Sequence, residues 1–144
     1  MAAVYTTLVR WLGGRRGHIQ LGNGPEMDFT APPDAYGEAG TLTPEEAFVA
    51  AVNTCIHMMF IWSCERLKVH LLSYECLAEG YKKVHLDGTE EFERVVLHPR
   101  IVVRGTPEAR VRRALEAAKK YSLVAASIRC PVEMVPEIGV VEES

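Results

Sequence analysis

The residues of this chain best suited to do chemistry are its four cysteines, Cys55, Cys64, Cys76 and Cys130. A thiolate is a strong nucleophile and can be oxidised through a sulfenic acid, so an activated cysteine supports redox or covalent catalysis. None of the four forms a Cys-x-x-Cys pair, and no histidine falls at a spacing suited to zinc. A structural disulfide framework is not expected, and in a reducing compartment these cysteines are free thiols. Cys55 lies deep inside the apolar segment 47–62. Most cysteines in such a setting are small buried hydrophobes. For Cys55 to be catalytic a cation must stand nearby, because burial disfavours the thiolate that attacks.

The elements that must position these residues follow from local patterning. Val4 to Trp11 alternates imperfectly and reads as a strand, and Gly13-Gly14-Arg15-Arg16-Gly17 reads as a turn whose glycines permit positive φ. Extended structure resumes from His18 to Leu21, Gly22-Asn23-Gly24 turns again, and Met27 to Thr30 makes a third strand. A loop with two prolines follows, from Ala31 to Gly40; loops of this length in a small domain are often functional. Thr43-Pro44-Glu45-Glu46 is a helix start, with a capping Thr, Pro at the first helical position and acids at the positive end of the dipole. That helix runs to about Leu67 and is apolar almost all round, which predicts burial on most faces and, in so short a chain, a second copy to cover it.

Val69 to Val84 and Phe92 to Val103 read as two long strands joined through Leu86-Asp87-Gly88-Thr89. Thr106-Pro107-Glu108 opens a second helix with the same cap chemistry, and Leu115, Ala118, Leu123 and Ala126 can share its inward face. Val132 to Val141 is the last strand, with Pro136 at an edge or bulge. The expected order is βββ-α-ββ-α-β, an α+β fold in one domain spanning residues 1–144.

Composition excludes some functions. The net charge is −3, with no basic stripe and no acidic tail, so nucleic-acid binding is not expected. The start of the chain lacks the pattern of a signal peptide, and the apolar run 47–62 is shorter than the ~20 residues of a membrane span. A cytoplasmic protein without membrane contact is expected.

Three segments together resemble the OsmC/Ohr family, the osmotically inducible protein C-like and organic hydroperoxide resistance proteins. Trp11-Leu12-Gly13-Gly14-Arg15-Arg16-Gly17 is similar to the family's Gly-Gly-Arg-x-Gly turn. Thr43-Pro44-Glu45-Glu46-Ala47-Phe48 looks like its helix opening, with Cys55 ten residues after Glu45. Tyr121 to Ile128 resembles the stretch before its last strand. The resemblance implies an intertwined homodimer with antiparallel strands wrapped around two central helices. It further implies an antioxidant, stress-response activity: reduction of organic or inorganic hydroperoxides by a cysteine, with no metal or organic cofactor and an external thiol as reductant.

Carried over position by position, the resemblance makes Cys55 the attacking thiol and Arg15 its cation, with Arg16 next door as the competing assignment. It makes Glu45 the carboxylate that orients the arginine. Glu45 and Cys55 cannot touch within one straight helix, since ten residues span roughly 15 Å. A long arginine bridges them, or the site combines two chains. The family's second, resolving cysteine aligns with Ser122, which cannot form a disulfide; a cruder alignment would use Cys130-Pro131-Val132 instead. Cys64 is excluded as a partner for Cys55, because nine helical residues place it on the opposite face about 13 Å away. His57 lies about 200° round the helix from Cys55 and reads as a core or interface histidine. Met58, Met59, Phe60 and Trp62 read as core packing that could also line an apolar pocket. The open alternatives are a one-cysteine peroxidase, a dimer that binds a small apolar ligand without catalysis, and a redox sensor acting through Cys55.

Overall fold

The computed structural model describes residues 3–143 of the chain. These form two compact units, one up to Phe48 and one from Val49 onward.

The first unit is a three-stranded antiparallel meander, with β1 (Thr7–Gly13), β2 (Arg16–Leu21) and β3 (Glu26–Thr30) in that order. The β1–β2 turn needs its glycines: Gly13 and Gly14 have φ of 101° and 54°, a region L side chains rarely adopt. Trp11 pins the turn by donating its indole N–H to the Gly14 carbonyl at 2.9 Å. Gly17 serves another purpose than the one its place in the turn suggested. It pairs with Phe29 on β3, and a Cβ at Gly17 would stand only 2.4 Å from the Phe29 ring. The loop after β3 carries a short 3-10 turn, Pro33–Ala35, closed by Tyr36 in the left-handed region. Buried Thr30 clasps the far side of that loop through the backbone of Glu38.

The first helix, α1, runs Pro44–Leu67 as its start signals predict. The Glu46 N–H donates to Thr43 Oγ1, which caps the first turn, and the Thr43 hydroxyl donates to the Glu46 carboxylate. By length and composition α1 is apolar enough to cross a membrane, contrary to the reading of the apolar run 47–62 alone. Its buried side chains Val52, Ile56, Phe60, Ser63 and Cys64 nevertheless recur every three to four residues, which is one face of a helix packed on a core.

In the second unit β4 (His70–Val84) and β5 (Glu90–Arg104) form a long antiparallel hairpin. Its turn is the one read from the sequence, with Asp87 accepting from both the backbone N–H and the hydroxyl of Thr89. Alternate β5 residues Val95, Leu97, Pro99, Ile101 and Val103 are buried, facing the core with Val52, Ile56 and Phe60. The expected final strand is two strands, β6 (Val132–Met134) and β7 (Glu137–Val141), both parallel to β5 along one edge. The break falls at Pro136, which has no N–H to continue the ladder.

The second helix departs further from expectation. Here α2 spans Glu108–Tyr121 and α3 spans Leu123–Ser127, separated by an extended Ser122. Thr106 does not cap α2: it is buried, donates to the Arg104 carbonyl and accepts from His70 N–H, so it ties strand ends together. The predicted inward face holds for Leu115 and Ala118, which are buried with Val111 and Ala114. It fails for Leu123 and Ala126, both exposed, because the extended residue resets the helical phase. The α+β class itself holds, with strands in sheets and helices of mixed length.

Candidate functional site

The central contact of the second unit joins residues 67 positions apart: the Ser122 hydroxyl donates to the Cys55 sulfur at 3.0 Å. Cys55 is half-buried on α1, and Ser122 is fully buried. Local sequence explains why a serine can stand there. A residue between two helices is extended and leaves the next helix with unpaired N–H groups, and serine is a favoured cap. Ser122 Oγ accepts from Ala125 N–H at 3.1 Å and thereby caps α3. One oxygen therefore starts a helix and meets the thiol.

Of the two alignments for the resolving position, it is Ser122 that contacts Cys55. Cys130 sits in the segment between α3 and β6, next to Pro131, whose carbonyl accepts from Val95 on β5. All four cysteines are free thiols. Burial pushes the Cys64 thiol up to about 11, with the Glu65 charge adding to the effect, so Cys64 is chemically quiet at neutral pH. Burial likewise raises the Cys76 pKa, and its thiol donates weakly to the Leu77 carbonyl.

Arg15 and Glu45 both belong to the first unit. Arg15 stands at the tip of the β1–β2 turn, its guanidinium 5.5 Å from the centre of the Tyr36 ring. Among the described residues it makes no ion pair with any carboxylate. Its neighbour Arg16 is engaged, 3.0 Å from Asp28 and 3.9 Å from Glu38. Of the two arginines, Arg15 is thus the one without a carboxylate partner among the described residues. The expected Glu45–Arg15 ion pair is not formed among the described residues. Glu45 is exposed in the first turn of α1, where the helix dipole alone favours an acid.

The aromatic and sulfur residues of α1 split between its faces. Phe60 is buried and packs on Tyr74, with ring centres 5.3 Å apart. Met58 is 61 % exposed and Trp62 is 37 % exposed, so neither is core within this chain. Successive helical residues are ~100° apart, and only one face of α1 meets the sheet. Trp62 stands edge-on to Tyr121 at 5.6 Å, under the Arg66 guanidinium, and Tyr121 is flanked by Lys120. Sequence reading gave Trp62 a place but missed its partner Tyr121, although Tyr121 directly precedes Ser122. His57 packs on Tyr74 at 4.7 Å, and its Nδ1 is buried without a hydrogen bond. The contact with Tyr74 agrees with the reading of a core or interface histidine.

A sulfur held by a buried hydroxyl on a half-exposed helix defines a cysteine site in an α+β fold. The sequence matches the family described as OsmC-like protein over residues 37–137, and the chain belongs to that family. No curated protein matches the sequence. Among solved structures, the chain is similar to an OsmC-like protein of unknown function from Vibrio cholerae, with TM-score 0.85 and 21 % identity over 94 % of this chain and 99 % of that one. It is also similar to an organic hydroperoxide resistance protein from Legionella pneumophila, with TM-score 0.75 and 23 % identity over 96 % and 99 % of the two chains. A third, the organic hydroperoxide resistance protein of Elizabethkingia anophelis crystallised with thiocyanate, has TM-score 0.75 and 20 % identity over 99 % of each chain. At these identities the likeness establishes the fold.

Proposed function

We propose that this chain is a thiol-dependent hydroperoxide reductase that works with one cysteine. The observation that carries the reading is the contact between Cys55 and Ser122, which puts a hydroxyl at the position aligned with the resolving thiol. The Cys55 thiolate attacks the terminal oxygen of a hydroperoxide. An S–O bond forms, the O–O bond breaks, and the alkoxide leaves with a proton as alcohol. Sulfur is oxidised by two electrons to the sulfenic acid and the peroxide is reduced by two. A thiol from solution then condenses with the sulfenic acid, releasing water, and a second thiol returns Cys55 to its reduced form as an external disulfide departs. Ser122 has no thiol to offer, so both thiols come from outside. Arg15 supplies the positive charge that favours thiolate and departing oxygen. The active form is a homodimer in the cytoplasm, the second copy covering the apolar faces of α1 that one chain leaves exposed.

The serine also favours a second reading. An OsmC-like chain without a resolving thiol could bind an apolar ligand along Met58, Trp62 and Leu123, or sense oxidants through Cys55 without turnover. Turnover of an alkyl hydroperoxide with a dithiol, in wild type, Cys55→Ser and Cys130→Ser, separates the readings. The expected result is an active wild type, an active Cys130→Ser and an inactive Cys55→Ser. Loss of activity in both variants, with a Cys55–Cys130 disulfide, replaces the one-cysteine scheme by a two-cysteine one. An inactive wild type removes the enzyme reading.

A further inference from the structure

We propose that Ser122 is itself a catalytic residue, a hydroxyl whose single proton is dedicated to the Cys55 sulfur; the proposal rests on the peroxidase reading above. A serine hydroxyl has one proton to donate and two lone pairs that accept. One lone pair of Ser122 Oγ is taken by Ala125 N–H at 3.1 Å, and the proton is directed at Cys55 Sγ at 3.0 Å. Ser122 has no exposed surface, so water does not compete for that proton. The backbone fixes the oxygen as well, since Ser122 is the extended residue that starts α3.

The consequence differs between the two states of the thiol. A neutral thiol can give as well as accept a hydrogen bond and gains little from this arrangement. A thiolate can only accept, and bonds to charged acceptors are roughly twice as strong as neutral ones. The Ala125 N–H polarises the hydroxyl further, as happens along a chain of hydrogen bonds. Ser122 thus favours the ionised sulfur without giving up its proton, and it makes the same bond to the sulfenate oxygen or sulfur after attack. In this chain the position aligned with a resolving thiol has become a stabilising donor.

The test needs no peroxide. Iodoacetamide alkylation of Cys55 is followed peptide by peptide across pH in wild type, Ser122→Ala and Ser122→Thr. The pH profile reports ionisation of the sulfur, and a purely structural role for Ser122 does not move it. The profile of Ser122→Ala is expected to move upward by about one pH unit, with Ser122→Thr close to wild type. A folded Ser122→Ala whose profile superimposes on that of wild type overturns the proposal. If Ser122→Ala does not fold, wild type decides alone: a folded Cys55 profile at or above that of the urea-unfolded chain overturns it. Failure here leaves hydroperoxide turnover untouched, whereas an inactive wild type sinks the peroxidase reading whatever the alkylation profile.

Discussion

At the scale of residues, the proposed chemistry turns on Ser122. Its oxygen lies 3.0 Å from Cys55 Sγ, close enough that a sulfur in its place would need only a small adjustment to bond. Ser122→Cys is therefore expected to form a disulfide between Cys55 and the introduced thiol when treated with one equivalent of an alkyl hydroperoxide. Mass spectrometry of unreduced peptides checks this, and a variant that keeps both thiols reduced would show that the side chains cannot be bridged. Cys64 and Cys76 lie outside this chemistry because burial raises both thiols. The competition between Arg15 and Arg16 turns on their neighbours: Arg16 is held by Asp28 and Glu38, and Arg15 rests on the face of Tyr36.

At the scale of elements, α1 and the β2–β3 pair carry separate predictions. Phe60 is fully buried where α1 meets β4, so Phe60→Ala leaves a cavity as well as losing its transfer energy. The expected loss is about 3–5 kcal/mol, read from denaturant unfolding; a loss near zero would mean that this face is not core. On the meander, His18 stands between two carboxylates, 2.7 Å from Asp28 and 3.0 Å from Glu26. The bond to Asp28, then that to Glu26, holds its pKa above the usual 6.5. The Asp28 carboxyl is lowered in turn, chiefly by the same bond. A raised histidine stabilises the fold fully below its unfolded pKa and loses that contribution as pH rises through the folded value. The lowered Asp28 works the other way, contributing above its unfolded 3.8 and losing it as pH falls through the folded value. Wild-type Tm is thus expected to decline from about pH 6 to pH 8, and His18→Gln to lack that decline. Parallel pH curves for the two proteins would remove His18 from the account.

At the scale of the whole molecule, the exposed apolar side chains of α1 and its surroundings need an explanation. Met58, Leu72 and Leu123 are 61, 41 and 66 % exposed. A contiguous apolar patch marks a place where something docks. The proposed homodimer supplies the cover, and sedimentation equilibrium is expected to give twice the chain mass of 16.0 kDa. Met58→Asp, which sets a charge on α1, is expected to weaken that association. A wild type that sediments as a monomer at micromolar concentration removes the dimer and leaves the apolar face to a ligand.

Much of the fold was legible because it is written in local chemistry. Thr43-Pro44 and the apolar run specify α1, paired glycines specify the first turn, and Asp87-Gly88 specifies the hairpin. The family, too, was legible in the order of three short motifs. Position 122 shows where local reading stops. Serine disfavours a helix interior only weakly, so nothing nearby announced that α2 ends at Tyr121 and restarts one residue later. The break exists because the chain turns there to meet α1, and that meeting brings Ser122 to a cysteine 67 residues away. Likewise Pro136 signalled an irregular strand, but only the pairing with β5 determined that it becomes two. Cys55 was singled out by its place in the sequence. Which group touches its sulfur was decided by tertiary structure, because contacts between distant residues depend on how helices end and pack rather than on the types of their neighbours.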